Sequence, residues 1–301
     1  MSGVLAGIED ATEHDFRTTE SLIGTSAGSL VAAALVAGER PRRPKAGARL
    51  AIGPGEHSDV TAESASRLAV LRLPGPRTAV GTVAREAVRL AGFAATPLAP
   101  VALAVGSSGS TAVRAALLGR APGRDSSLRA IRDAVAKTGA RFDGRLRVVA
   151  VDRERGRRVI FGAPGAPDAS VAEAVQASCS VPWIFKPVQI NGREYVDGGV
   201  WSNTNLDIAP GGRATQVLCL NPIASLDIAI ASPFGMLRAI AGSTAAIEIL
   251  ALRSRGARVR MIGPSQDIAR VMGPNLMDVR LRDEVLAGGY AQGLDIGGRE
   301  P

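Results

Sequence analysis

Residues 22–37 read LIGTSAGSLVAAALVA, and this stretch decides the fold. Leu22 and Ile23 form the apolar end of a short predicted strand, and the residues from Gly24 to Gly28 predict a tight turn. Small apolar residues from Ser29 to Ala37 then predict a helix, which Gly38 is suited to end. The stretch therefore predicts a strand–turn–helix unit with Ser26 at its turn.

The turn itself reads Gly24-Thr25-Ser26-Ala27-Gly28, a G-x-S-x-G pattern. In hydrolases this pattern marks a strained strand-to-helix turn that exposes a nucleophilic serine at the edge of a sheet. We expect a Cβ at Gly24 or at Gly28 to clash where the helix packs back on the strand. The positive end of the helix dipole near Ser26 favours the anion that forms in acyl transfer. An ordinary Gly/Ser turn that caps a helix is the alternative.

A nucleophilic serine needs a base, and the histidines do not supply one. In the hydrolase triad the histidine follows the serine and the acid, but His14 and His57 are the only histidines of the chain. His14 is predicted to be a solvated residue at a helix end, and His57 lies in a Pro/Gly-rich stretch. The remaining candidate is Asp197, within Val196-Asp197-Gly198-Gly199 at the end of a predicted strand. Alone, this motif also fits a common Asp-Gly turn.

Strands and helices alternate along the rest of the chain, which predicts an α/β fold. The sequence Asn191-Gly192 between two apolar runs predicts a β-hairpin that leads into Asp197. We expect one domain over residues 1–290, a basic Pro/Gly-rich insertion or lid at about 39–125 and a flexible tail at 291–301. Further strands are predicted at 146–151, 159–162, 188–190, 194–196, 216–221 and 259–262, and helices at 3–12, 78–92, 126–138, 171–178 and about 235–254.

Taken together, these motifs resemble one known family. The runs Ile23–Ser29 and Val196–Gly199 are similar to the two signatures of patatin-like phospholipases, and the segments Ala177–Pro182, Phe185–Val188 and Asn191–Tyr195 look like the family's approach to its aspartate. The resemblance implies an α/β/α sandwich with a central, mainly parallel sheet. It also implies a Ser26–Asp197 dyad, an acyl-enzyme intermediate, lipid or phospholipid ester substrates and no cofactor. Gly24, Gly28, Gly198 and Gly199 are the motif glycines.

One departure from the family concerns the oxyanion hole. The glycine-rich loop that supplies oxyanion donors in the family precedes its first helix, which Gly3-Val4-Leu5 resembles here. The Ala27 N–H is therefore the one local donor that we can assign. We expect an upstream extension of about 15 to 20 residues, the length of a strand and a turn.

Composition limits the partners. The formal net charge is +8, and residues 40–90 hold ten Arg or Lys, from Arg40 to Arg89, against four acids. A compositional bias toward arginine is one explanation; attraction to an anionic membrane is the other. The scarcity of aromatic residues there argues against nucleic acid.

The cysteines and the charge also bear on metal binding and location. With scattered cysteines, Cys179 and Cys219, we predict no metal site. We expect a cytoplasmic protein, peripheral at the membrane if the charge acts there.

Three functions remain open at this point. The first is hydrolysis of lipid acyl esters. The second is a non-catalytic patatin-like module that binds lipid or acts as a scaffold, and the third is a carboxylesterase for small esters. Retention of both Ser26 and Asp197 favours catalysis, whereas the missing oxyanion loop favours the binding module.

Overall fold

A computed structural model describes residues 1–45, 111–120, 127–223, 233–273 and 279–298. Strands and helices alternate, so the α/β class is confirmed. The strands are β1 (Leu22–Thr25), β2 (Leu146–Asp152), β3 (Arg157–Phe161), β4 (Val188–Ile190), β5 (Arg193–Asp197), β6 (Gln216–Leu220) and β7 (Arg258–Ile262). The helices are α1 (Ser2–Thr12), α2 (Ala27–Val36), α3 (Thr111–Gly119), α4 (Arg129–Lys137), α5 (Val171–Cys179), α6 (Pro233–Ser254), α7 (Gln266–Met272) and α8 (Arg282–Gly297).

The larger sheet is mixed and is centred on β2. Strand β1 runs parallel to β2, while β3 and β5 run antiparallel to it, and β4 pairs antiparallel with β5. Strands β6 and β7 form a separate parallel pair. The β4–β5 hairpin turns at Asn191 and Gly192, whose φ angles of 50° and 76° are those that a two-residue hairpin turn requires. The hairpin predicted from Asn191-Gly192 is therefore confirmed.

Two strand ends meet on one edge of β2. Thr25, the last residue of β1, pairs with Val149, and Asp197, the last residue of β5, pairs with the next residue, Ala150. Strand β3 pairs with both Val149 and Ala150 and so occupies the opposite edge. Since β1 is parallel to β2 and β5 is antiparallel, their carboxyl ends point at each other. This register places the residue after β1, Ser26, beside Asp197.

Apolar side chains cover both faces of this sheet. On one face Leu22, Val148 and Ala150 pack with Val175 of α5 and Leu35 of α2. On the other face Val151 and Val196 pack with Leu118 of α3, and Ile23 packs against a cluster that includes Leu252 of α6. Alternate residues of β1 and β2 thus point to opposite layers, as strand geometry dictates. Helices on both faces are consistent with the layered arrangement that the resemblance implies.

Some expected boundaries differ from those in the structure. The flexible tail expected at 291–301 is wrong for residues 291–297. Helix α8 continues to Gly297 and packs along α1. The insertion or lid expected at about 39–125 stays a prediction, because the structure describes only residues 39–45 and 111–120 of that range. Helix α3 lies within that range, yet its Leu118 is only 1% exposed and packs against the sheet. The helix predicted at 78–92 and the basic stretch beyond Lys45 lie outside the described residues.

Within the described ranges, none of the helices has both the length and the apolar character that a membrane span requires.

Candidate active site

Ser26 occupies a strained turn between β1 and α2. Its φ of 51° and ψ of −127° are outside the regions that non-glycine residues ordinarily adopt. Gly24 makes the turn possible, because a Cβ there would lie 2.4 Å from the Cα of Ser29. The clash that we expected for a Cβ at Gly28 is wrong, since such a Cβ would meet no atom within 4 Å. The strained turn therefore depends on the first glycine of the motif.

Asp197 is fixed by the turn that follows β5. Its Oδ1 accepts a hydrogen bond of 2.7 Å from the Gly199 N–H, at the start of a short 3-10 turn over Gly198–Val200. A Cβ on Gly198 would lie 2.4 Å from the Val149 carbonyl oxygen, so only glycine permits this approach to β2. The first glycine after Asp197 thus brings the chain close to β2, and the second provides a donor to the carboxylate.

The carboxyl group of Asp197 is completely buried. Burial raises the pKa of Asp197 to about 7, although the Gly199 N–H and the Ser26 hydroxyl both lower it. Its Oδ2 accepts no hydrogen bond within 3.5 Å from any residue that the structure describes. A buried carboxylate oxygen without a bonded donor, close to a serine hydroxyl, is suited to accept that hydroxyl's proton.

Ala27 is exposed at the start of α2, where backbone N–H groups have no acceptor within the helix. The N–H of Ser26 is already engaged, because it donates to the Ser178 hydroxyl at 2.9 Å. Ala27 therefore stays our predicted oxyanion donor.

The other nucleophilic or basic side chains are placed differently. His14 is exposed after α1, as predicted, and contacts the ring of Phe16 edge to face. His57 lies outside the described residues. Cys179 and Cys219 are free and buried, and burial raises the pKa of each thiol to about 12, so both stay protonated at neutral pH. Among the described residues, no group of three His, Cys, Asp or Glu side chains could hold a metal ion.

Sequence reasoning missed two buried polar residues at the site. Ser178, at the end of α5, links Ser26 to β2 through its hydroxyl. Asn205, on the loop after Asp197, donates from Nδ2 to the Thr25 hydroxyl at 3.0 Å and so connects that loop to the turn. Both side chains are 0% exposed. For Ser178 the available signal was a polar residue in a largely apolar, buried helix, which requires a partner but does not identify it. Asn205 ends a polar run, Ser202-Asn203-Thr204-Asn205, which gives no such signal.

A groove of about 1520 Å³ opens beside Ser26. Its walls include β1, β6 and α2, and its lining includes Ser26 itself and the apolar side chains of Val31, Leu128, Ile131, Val181 and Phe185. Ligand sites for small molecules usually measure about 300–1,000 Å³. The groove is therefore large enough for a long apolar substituent on a group that reacts at Ser26.

The fold and the site together define an α/β protein in which a strained serine turn and a buried aspartate share one site. The model of the patatin-like phospholipase family matches residues 72–210, which confirms the resemblance over that range. The range includes Asp197 but not Ser26, so the place of Ser26 in the site rests on the geometry above. A protein of Invertebrate iridescent virus 6, described as a probable lipid hydrolase, is 36% identical over 62 residues. That alignment covers 21% of this chain and 21% of the viral protein.

Proposed function

We propose that this protein is a serine acyl hydrolase that cleaves acyl esters of lipids or phospholipids. The observation that carries the proposal is the buried Asp197 carboxylate beside the strained Ser26 turn. Its pKa of about 7 and its unbonded Oδ2 are the properties of a general base that works near neutral pH. The family match and the name of the viral relative support a lipid substrate.

The reaction begins when Asp197 Oδ2 takes the proton of the Ser26 hydroxyl. Ser26 Oγ then attacks the ester carbonyl carbon, and the oxyanion that develops is stabilised by the Ala27 N–H. Collapse of this intermediate breaks the bond to the alcohol, which leaves with the proton from Asp197, and an acyl-serine ester remains. Asp197 then removes a proton from water, whose oxygen attacks the acyl-serine. The bond between the acyl carbon and Ser26 Oγ breaks, Ser26 Oγ takes the proton back from Asp197, and the fatty acid is released.

The apolar lining of the groove supports long acyl chains over the small-ester alternative. A long acyl chain would contact the apolar side chains that line the groove, among them Val31 of α2 and Ile131 of α4. A series of p-nitrophenyl esters of increasing acyl length separates the two. We expect kcat/KM to rise with acyl length, whereas a preference for acetate over longer chains would favour the small-ester carboxylesterase.

The test of the dyad is hydrolysis of p-nitrophenyl esters by Ser26→Ala and Asp197→Asn. We expect Ser26→Ala to fall to background and Asp197→Asn to lose about 10²–10⁴-fold in kcat, the usual contribution of a general base. Circular dichroism should show that both variants keep the fold.

His57→Ala and His14→Ala are the matched controls, and both should retain nearly full activity. If His57→Ala were as damaging as Ser26→Ala, the dyad would be wrong. A wild-type protein that binds lipid but hydrolyses none of these esters would instead support the non-catalytic binding module.

A further inference from the structure

Ser178 lies between the nucleophile turn and the central strand. Its hydroxyl accepts a hydrogen bond of 2.9 Å from the Ser26 N–H and donates one of 2.6 Å to the Val149 carbonyl. The side chain is 0% exposed. The donor of this hydroxyl and one of its two acceptor lone pairs are therefore engaged at the site.

The β1–β2 ladder explains why a hydroxyl is needed there. The Leu22 N–H donates directly to the Arg145 carbonyl at 3.0 Å, and the register pairs Thr25 with Val149. In a parallel ladder such bonds recur at every second residue of each strand, so the Ser26 N–H falls opposite the Val149 carbonyl. The Ser178 hydroxyl is inserted at that bond. It satisfies both groups while the backbone of Ser26 turns away from β2.

The same chain segment also holds the base. The Asp197 N–H donates to the Ser180 carbonyl at 3.0 Å, and Ser180 follows the last turn of α5. The main-chain N–H groups of Ser26 and Asp197 are thus bonded to residues only two positions apart. Because one short segment contacts both, a displacement at Ser178 changes the distance between nucleophile and base.

We propose that Ser178 is a positioning residue, whose hydroxyl bridges the Ser26 N–H and the Val149 carbonyl and so sets Ser26 Oγ against Asp197. This inference rests on the proposed acyl hydrolase function. Ser178 does not contact the substrate in this role; it acts through the backbone of Ser26.

Ser178→Ala leaves the Ser26 N–H and the Val149 carbonyl without their bridge. We expect kcat on p-nitrophenyl butyrate to fall about ten- to a hundredfold, the rate equivalent of one or two lost buried hydrogen bonds. KM should change less than about threefold, because the lining of the groove is unaltered and the loss arises in the transition state. Ser178→Cys keeps a weak donor and acceptor in a side chain of similar size. Its kcat should therefore lie between those of the wild type and Ser178→Ala.

Ser170→Ala is the matched control. Ser170 caps the other end of the same helix, where its hydroxyl accepts from the Glu173 N–H at 3.2 Å. Its loss should lower the stability of α5 by the usual cost of a missing cap but leave kcat unchanged. Rates are divided by the fraction of sites that a fluorophosphonate titrates, so that unfolded protein does not count.

The outcomes separate the two proposals. Reduced kcat with nearly constant KM in Ser178→Ala, partial recovery in Ser178→Cys and full kcat in Ser170→Ala are the expected results. Wild-type kcat in Ser178→Ala, or an equal loss of kcat in Ser170→Ala, would overturn the positioning role while the hydrolase function stands. If Ser178→Ala does not fold, Ser178→Cys decides: a lowered kcat with nearly constant KM supports the role, and wild-type kcat overturns it. A wild-type protein that neither hydrolyses the ester nor reacts with the probe overturns the hydrolase function first.

Discussion

The buried carboxyl group of Asp197, the base in our proposal, also makes the stability of the protein depend on pH. Burial raises the pKa of Asp197 from its ordinary value of 3.8 to about 7. Between those values the folded protein holds a proton that the unfolded chain has released. The stability that the protonated group contributes is therefore complete below about pH 4 and is lost as the pH rises through about 7.

The Asp197→Asn variant has no ionisable group at this position. Its free energy of unfolding should therefore not show this decrease as the pH rises. We expect the free energy of unfolding of the variant, relative to the wild type, to increase by on the order of 2–3 kcal/mol between pH 5 and pH 8. Urea unfolding of both proteins at pH 5 and pH 8 measures this change. Subtracting the wild-type value from that of the variant at each pH cancels the titration of other groups. An unchanged difference between pH 5 and pH 8 would contradict a raised pKa at Asp197.

At the scale of elements, the strand–turn–helix unit depends on one of its two motif glycines. A Cβ on Gly24 would lie 2.4 Å from the Cα and 2.7 Å from the N of Ser29, and both are backbone atoms that cannot rotate away. Gly28 is open, with no atom within 4 Å of an added Cβ. Strain is thus concentrated where the chain leaves β1.

Gly24→Ala and Gly28→Ala form a matched pair with the same chemical change. We expect Gly24→Ala to lower the free energy of unfolding by at least about 3 kcal/mol, because the backbone must move to remove the overlap. Gly28→Ala should lie within about 1 kcal/mol of the wild type, since alanine is favoured within a helix. Denaturant unfolding of both variants tests this. Equal losses would mean that the turn does not approach Ser29 as described.

The sequence was sufficient to predict local elements but not how they meet. The G-x-S-x-G turn, the helix α2 and the Asn191-Gly192 hairpin are encoded by neighbouring residues, and all three were predicted. The meeting of β1 and β5 on β2 depends on registers between segments far apart in the chain, and local patterns do not specify such registers. For the same reason the freedom at Gly28 and the bridge made by Ser178 became visible only in three dimensions.

At the scale of the whole molecule, helices α1 and α8 pack with their backbones at very short distances. A Cβ on Gly293 of α8 would lie 2.2 Å from the Val4 carbonyl oxygen, and one on Gly7 of α1 would lie 2.2 Å from the Tyr290 carbonyl oxygen. Such close contact between helix backbones is possible only with glycine. It also accounts for the missed extent of α8, because glycine-rich residues near a chain end favour a tail when judged by sequence alone.

Gly293→Ala should separate the two helices. We expect a loss of about 2–3 kcal/mol in the free energy of unfolding, despite the better helix propensity of alanine. Gly289→Ala is the control on the same helix, because its Cβ would meet Val4 at an ordinary 3.5 Å. Thermal unfolding compares them. A Gly293→Ala protein as stable as Gly289→Ala would show that α1 and α8 do not pack in this way.

The central claim, that Ser26 is a nucleophile activated by Asp197, is tested most directly by covalent labelling with a fluorophosphonate at several pH values. The adduct, located by mass spectrometry of peptides, should lie on Ser26. The rate of labelling should rise through about pH 7 and level off above it, as Asp197 loses its proton. In Asp197→Asn the rate should be at least about a hundredfold lower and should not rise through pH 7. Labelling of another residue, or a rate in Asp197→Asn equal to that of the wild type, would contradict the account.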